Sequence, residues 1–262
     1  MTSVVDWFSQ SPKQLAATIG RLQASNARPL IRIGNTLESQ DEETRSNLFD
    51  SVLRHIDIWG SPQLEPVVSS STILFDELRR KNVTLYICVT PEELVSYRSI
   101  IRCLLGQILY AFRDRKEDWD LPPVTFFIDE FPQLGYMPEI EQMLALGRQA
   151  GLRLWLFAQT KGQIESAYND ATRLLDMMAV RCFIEPTGQL AEAISKELGL
   201  VRDIYEGTEK PLASPQELSG PAYAGKVIVF EGGHSPARLI AVKAFEDATA
   251  KDRMNLSPPD DE

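Results

Sequence analysis

The 262-residue sequence is poor in histidine and cysteine, carries an excess of acid over base, and has no long apolar run. Its two histidines, His55 and His234, have no Cys or His partner nearby in the chain, which argues against a metal centre or a histidine-activated nucleophile. Cys88, Cys103 and Cys182 are odd in number, far apart and set among apolar neighbours. They read as buried reduced thiols and not as a disulfide framework. No apolar run approaches the roughly 20 residues that span a bilayer. The start, Met-Thr-Ser-Val-Val-Asp, lacks the basic and apolar parts of a signal peptide. A soluble, cytoplasmic chain with no membrane insertion of its own is expected. With 27 Lys and Arg against 37 Asp and Glu, the net charge of −10 removes any overall electrostatic case for nucleic-acid binding. DNA contact would need a local patch or a channel built from several subunits.

What is present is ordinary for a globular protein: 44% hydrophobic and 24% charged residues, enough for one large domain or one domain plus part of another. Residues 1 to about 25 read as helix, with Ser11-Pro12 as cap and first helical position. Asn26 to Pro29 breaks that pattern, and a second helix fits Glu42 to Ile58. Gly60-Ser61-Pro62 and Pro66 mark a linker. From about Ser69 the texture changes. A short ordered stretch, Thr72 to Leu78, precedes Val83 to Val89, which reads as a continuous apolar strand. A helix is expected from Pro91 to Asp114 and a strand from Val124. Further helix is expected over Pro138 to Ala150, strand over Leu152 to Ala158, helix over Ile164 to Met178, strand over Val180 to Ile184, and helix over Leu190 to Leu198. Lys226 to Phe230 and Ala237 to Val242 read as an antiparallel pair. Strands alternating with helices predict an α/β fold with a mostly parallel sheet covered on both faces. The expected division is a helical segment over 1–68, an α/β domain over 69–250 and an acidic disordered tail over 251–262.

The sharpest local feature is Val124-Thr125-Phe126-Phe127-Ile128-Asp129-Glu130-Phe131. Apolar and β-branched residues run straight into two adjacent carboxylates. Open α/β sheets place ligands at the carboxyl ends of their strands. There an Asp can hold Mg²⁺ and a neighbouring Glu can prepare an attacking water. A core strand ending in two solvated acids fits the local pattern equally well. Arg148, at the end of the next helix, either stabilises transferring phosphoryl charge or meets the helix dipole. Gln159, after the next strand, either orients a water or opens a polar loop.

Three segments carry a family resemblance: Phe126-Phe127-Ile128-Asp129-Glu130-Phe131-Pro132-Gln133-Leu134-Gly135, Leu144-Ala145-Leu146-Gly147-Arg148, and Leu154-Trp155-Leu156-Phe157-Ala158-Gln159. Together they resemble the type IV secretion coupling proteins of the TraG/TraD kind, the RecA-like, hexamer-forming motor ATPases of conjugation. Residues 72–98, Ile194-Ser195-Lys196-Glu197-Leu198-Gly199 and the final hairpin share the likeness, which covers roughly 70 to 245. The resemblance implies a partial RecA-like P-loop ATPase core preceded by the end of an all-α domain. It implies ATP and Mg²⁺ as cofactors, with Asp129 acting on Mg²⁺ and Glu130 as the water-activating carboxylate. Arg148 would face a neighbouring subunit's nucleotide and Gln159 would sense nucleotide. Implied partners are other coupling subunits in a hexamer, relaxosome or effector cargo, and DNA in the assembled ring, at the cytoplasmic face of the bacterial inner membrane. A non-enzymatic module docking on full-length subunits or cargo, and a related translocase of the FtsK or HerA sort, are the alternatives.

One part of such a site is missing. A P-loop needs G-x-x-x-x-G-K-[ST], whose backbone N–H groups cradle phosphates. The near match, Gly220-Pro221-Ala222-Tyr223-Ala224-Gly225-Lys226-Val227, lacks the hydroxyl, puts a proline in the cradle, and is followed by a β-branched run instead of a helix. It reads as a turn before a strand. The expectation is a Walker B carboxylate pair without a Walker A loop, the C-terminal part of a coupling protein that hydrolyses ATP poorly on its own. The acidic end Asp260-Asp261-Glu262 reads as a solvated terminus.

Overall fold

The computed structural model describes residues 2–71, 73–75, 77–112, 121–202 and 207–254. Residues 255–262 of the expected acidic tail, the end of the expected helix at 113–114, and Thr72 and Asp76 of the stretch 72–78 lie outside the described residues, while residues 251–254, expected in the disordered tail, are helical. The chain divides into two compact units, Met1–Ile128 with Met137–Trp155, and Asp129–Tyr136 with Leu156–Glu262.

The first unit opens with α1 (Thr2–Phe8), α2 (Pro12–Gln23), α3 (Arg28–Ser39), α4 (Glu42–Ile56) and the short α5 (Glu65–Ser69). The helix α2 starts as the sequence predicts, with Ser11 as cap and Pro12 in the first turn, and Gln14 Oε1 accepts from the Ser11 N–H and hydroxyl. The helix α3 was not expected. Pro29 stands in its first turn, where a missing N–H costs nothing, so it starts this helix and does not break the chain. Gly34 lies where α2 and α3 meet: a Cβ there would come within 2.9 Å of Gln23 Cγ and 3.1 Å of Gln23 N. Ile19, Leu37 and Phe49 form the buried centre, with Trp7 and Phe8 packed on it and Phe8 edge-on to Phe49. Asp41 caps α4 by accepting from the Thr44 N–H and hydroxyl, and those bonds hold its carboxyl below the ordinary value. This cap therefore strengthens α4 above the carboxylate range and weakens as pH falls through it.

The unit continues through α6 (Glu77–Arg80), the long α7 (Pro91–Phe112), β1 (Val124–Ile128), α8 (Pro138–Leu146) and β2 (Leu152–Leu156). Here β1 and β2 pair in parallel. Their inner faces, led by Val124 and Leu152, bury Ile108, Leu109 and Phe112 of α7 and Met143 of α8. On the opposite face Phe127 stacks on Trp155 at 5.8 Å, and both are largely exposed. Arg79 is buried: its Nη2 donates to Ala150 O at 2.5 Å and to Gly151 O at 3.2 Å, while its guanidinium lies 4.9 Å from the Phe112 ring.

Three expectations are corrected in this unit. Residues 83–89 form no strand: Val83, Tyr86, Ile87 and Val89 are exposed, and an extended run with no ladder partner among the described residues has nothing to hold it as a strand. The helix expected to reach Ala150 ends at Leu146, because a tight turn through Gly147 brings the Leu152 N–H to Gly147 O at 2.8 Å. Gly151, at φ +65, lies in that turn. Cys88 and Cys103 are free thiols, as expected, but exposed: Cys88 belongs to the uncovered run and Cys103 to the solvent side of α7.

The second unit contains α9 (Lys161–Tyr168), α10 (Ala171–Asp176), β3 (Val180–Ile184), α11 (Gly188–Leu198), β4 (Leu200–Arg202), β5 (Glu209–Pro211), α12 (Pro215–Leu218), β6 (Lys226–Glu231), β7 (Ala237–Ile240) and α13 (Ala248–Met254). The strands β3, β6 and β7 form an antiparallel sheet in that order, and β4 pairs antiparallel with β5. The hairpin of β6 and β7 is as the sequence predicts. The single helix expected over 164–178 is two, broken at Asn169 with φ +58, after which Asp170 caps α10. Ile194, Ala213, Leu218, Ile228 and Phe230 make the core beneath the sheet. Cys182 is exposed as well, on the sheet's other face.

Two substitutions test these contacts. Arg79→Met keeps an apolar stem near Phe112 but removes the donors to Ala150 and Gly151, and should cost about 2 kcal/mol. Gly34→Ala should cost about 1–3 kcal/mol by forcing α2 and α3 apart. Urea unfolding of the purified variants reads both, and an unchanged midpoint for either would contradict its assignment.

Candidate functional site

At Ile128 the apolar strand β1 ends, and Asp129 and Glu130 follow at once. Asp129 is exposed, and its Oδ1 accepts the Glu130 N–H at 3.1 Å. Glu130 holds a left-handed backbone, φ +46 and ψ +40, a conformation that costs a non-glycine residue about 1–3 kcal/mol. It persists because the residues after it are fixed. Phe131, Pro132 and Leu134 form a buried 3-10 turn, the Gln133 N–H donates to Glu130 O at 2.9 Å, and Phe131 meets the Tyr168 ring at 5.7 Å. Glu130 Oε2 is buried and has no hydrogen-bond partner among the described residues. A buried carboxylate oxygen without a donor costs free energy unless something else meets it. Strain and an orphaned acid thus coincide at one residue.

A backbone bond ties this turn to the segment after β2: the Phe131 N–H donates to Phe157 O at 3.1 Å. Two residues further on stands Gln159, exposed. Its N–H donates to Gln163 Oε1 at 3.1 Å, as does that of Thr160, while Thr160 Oγ1 accepts from the Gln163 N–H. This capping box starts α9 and anchors Gln159. The sequence reading, which began that helix at Ile164, missed Thr160 and Gln163. The pattern Thr-x-x-Gln is a signal that could have found them.

Asp129, Glu130 and Gln159 therefore belong to one unit and to the segments that follow β1 and β2. Arg148 belongs to the first unit and is exposed in the turn before β2. The Gly220 to Val227 near match is a 3-10 turn over Pro221–Tyr223 leading into β6, so it presents no helix N-terminus to a phosphate.

The donor set suits one kind of metal. No group of three or more His, Cys, Asp or Glu among the described residues could hold an ion by itself. Mg²⁺ does not require one, since it takes one or two carboxylates and fills its octahedron with water and phosphate oxygens. Asp129, exposed and with Oδ1 accepting the Glu130 N–H, fits that role when a nucleotide supplies the phosphates. Bound there, Mg²⁺ would neutralise charge on the transferring phosphoryl group. Among the described residues no helix is long and apolar enough to cross a membrane.

Replacing Glu130 with glycine should stabilise the chain by about 1 kcal/mol, because glycine adopts φ +46 freely and removes the orphaned oxygen. A thermal melt that falls instead would show that Glu130 serves packing.

The model of the family described as type IV secretory system conjugative DNA transfer matches residues 8–202. The chain is 24% identical to VirD4 of Agrobacterium fabrum, over 94% of this chain and 40% of that protein. It is 21% identical to the conjugal transfer protein TraG of Escherichia coli, over 93% of this chain and 45% of that one. It spans less than half the length of these curated relatives. Its fold is that of the plasmid coupling protein TrwB solved with a non-hydrolysable GTP analogue: TM-score 0.70 at 19% identity, covering 92% of this chain and 57% of that one. TrwB with ADP and Mg²⁺ matches at TM-score 0.62 and 18% identity, covering 79% of this chain and 52% of that one. The chain is a member of the type IV secretion coupling protein family, with that family's α/β, RecA-like architecture.

Proposed function

We propose that this chain is the hydrolytic part of a conjugative coupling ATPase that recruits and moves DNA–protein substrate. The observation that carries the reading is Glu130: a strained residue with an orphaned buried oxygen, directly after the apolar strand β1 and beside Asp129. In this reading Asp129 holds Mg²⁺, Glu130 takes a proton from the attacking water, and Gln159 senses the terminal phosphate. Arg148, exposed and before β2, serves a neighbouring subunit's nucleotide in a ring, as an arginine finger does. The crystallised relative with ADP and Mg²⁺ supports the choice of cofactors. The helical residues 1–68 receive substrate and residues 69–250 form the motor domain. The ring assembles from coupling subunits at the cytoplasmic face of the inner membrane, with relaxosome or effector cargo as its load. DNA is engaged only by the assembled ring, since the chain itself carries a net charge of −10.

Because the sequence contains no G-x-x-x-x-G-K-[ST], the chain grips phosphate poorly by itself. A second reading draws on the exposure of Arg148: the chain docks on full-length coupling subunits and lends them this arginine. Nucleotide titration and ATP hydrolysis, measured with and without a full-length coupling protein, decide between them. Under the first reading hydrolysis rises on mixing, and Glu130→Gln lowers the gain by about 100-fold or more. Under the second, Arg148→Ala removes the gain and Glu130→Gln leaves it. Robust hydrolysis by the chain alone, abolished by Glu130→Gln, would overturn the expectation of dependence.

A further inference from the structure

Glu130 keeps its left-handed backbone only while the turn after it is held, and one continuous segment, residues 157–168, holds that turn twice. At the start of the segment Phe157 O accepts the Phe131 N–H at 3.1 Å. At its end the Tyr168 ring lies 5.7 Å from the Phe131 ring and 5.6 Å, edge-on, from that of Tyr136. Phe131 and Tyr168 are both buried, so the second tie is one of packing. Gln159 stands between the two ties.

The helix α9 joins them. Gln163, half-buried, accepts the N–H groups of Gln159 and Thr160 on one oxygen, at 3.1 Å each. N–H groups at a helix start have no partner inside the helix, so this side chain is what binds Gln159 to it. Asn169, at φ +58, ends α9 directly after Tyr168, and its N–H donates to Glu165 O at 3.0 Å. The eight residues between, about two turns and roughly 12 Å, therefore have both ends fixed. Ile164 and Tyr168, four residues apart, are the buried side chains of this helix. A hydrogen-bonded helix this short moves as one body. The contacts close a circuit: Phe131 to Phe157 by a backbone bond, Phe157 to Gln159 along the chain, Gln159 to Gln163 by the cap, Gln163 to Tyr168 through the helix, and Tyr168 back to Phe131 by ring packing.

We propose that Gln163 and Tyr168 are positioning residues that couple, through α9, the backbone conformation of Glu130 to the position of Gln159. This rests on the catalytic reading of Glu130 and Gln159 above and deepens it by naming how that site is regulated. A ligand that displaces Gln159 moves α9, and α9 moves Phe131, the residue next to Glu130. A strained residue persists only where its surroundings over-determine it, so loosening the circuit lets Glu130 leave the left-handed region and carry its carboxylate with it. The closed circuit selects the strained form.

Residue-resolved amide exchange by NMR, on the full chain without nucleotide, reads the coupling. Gln163→Ala removes the shared acceptor and none of the turn's own hydrogen bonds. Exchange should quicken about fivefold, the scale of one lost cap, at Gln159 and Thr160 and also at Phe131 and Gln133. Gln163→Glu restores an acceptor of the same reach and should return all four amides to their original rates. Tyr168→Leu keeps apolar bulk, loses the ring contact, and should quicken the same four amides from the other end. Ser214→Ala, which removes the hydroxyl of a capping box at α12, should leave them unchanged. Quickening confined to Gln159 and Thr160 in Gln163→Ala, or shared in full by the amides of β6, makes Gln163 a cap and nothing more, and overturns the proposal. ATP hydrolysis in mixture with a full-length coupling protein separates this from the catalytic reading. Coupled exchange, with hydrolysis unchanged in Glu130→Gln, refutes that reading and leaves the coupling standing. Hydrolysis lost in Glu130→Gln, with exchange confined to the cap, does the reverse.

Discussion

The burial of one long helix against two strands is the constraint on which the β1–β2 region depends. Ile108, Leu109 and Phe112 of α7 lie under Val124 and Leu152, and each large side chain so buried contributes about 1.5–3 kcal/mol. Side chains alternate along a strand, so this burial fixes parity: Val124, Phe126 and Ile128 turn inward and Thr125 and Phe127 outward. A slip of one residue would reverse every one of them. Past the strand, Asp129 is exposed and Glu130 partly buried, so the two adjacent carboxylates have different environments. Arg79 reinforces the arrangement from the α6 side by closing on the carbonyls just before β2.

Different environments make different chemistry available. An exposed carboxylate with one oxygen engaged suits a hydrated cation. A partly buried one with an orphaned oxygen suits a proton acceptor, which must sit in a dry setting yet meet its reactant. The left-handed backbone at Glu130 is what aims the second acid away from the path of the strand. Phe131, Pro132 and Leu134 supply the burial that offsets this strain, and the Phe131 to Phe157 bond transmits the same restraint to the Gln159 segment.

The strand ending in Asp129-Glu130 was legible because it concentrates one signal, a β-branched and aromatic run meeting two acids. Most helices and the terminal hairpin were legible from caps and apolar patterning, as at Ser11-Pro12. What failed failed for local reasons. Pro29 was read as a breaker although a first-turn proline starts helices. Asn169 split one expected helix in two because a single residue at positive φ is invisible in an apolar period. The strain at Glu130 leaves no mark in the sequence, since glutamate is an ordinary residue and only its neighbours force the angle. The capping box at Thr160 and Gln163 was written plainly and passed over.

The misread cysteines and the misread run at 83–89 share one cause, and it bears on function. Both readings took apolar surroundings in sequence to mean burial in space, which holds only if every apolar face finds a cover. Cys88 and Cys182 lie in runs with the composition of central strands, Val83 to Val89 and Val180 to Ile184, yet both are exposed. Leu85 reaches the core beside β1 while Tyr86 and Val89 face solvent, so the run at 83–89 is half satisfied. The outer row Ile184, Val227 and Leu239 has the same character in the other unit. Apolar composition along a strand therefore predicts burial only where the fold supplies a second cover, and neither run has one among the described residues.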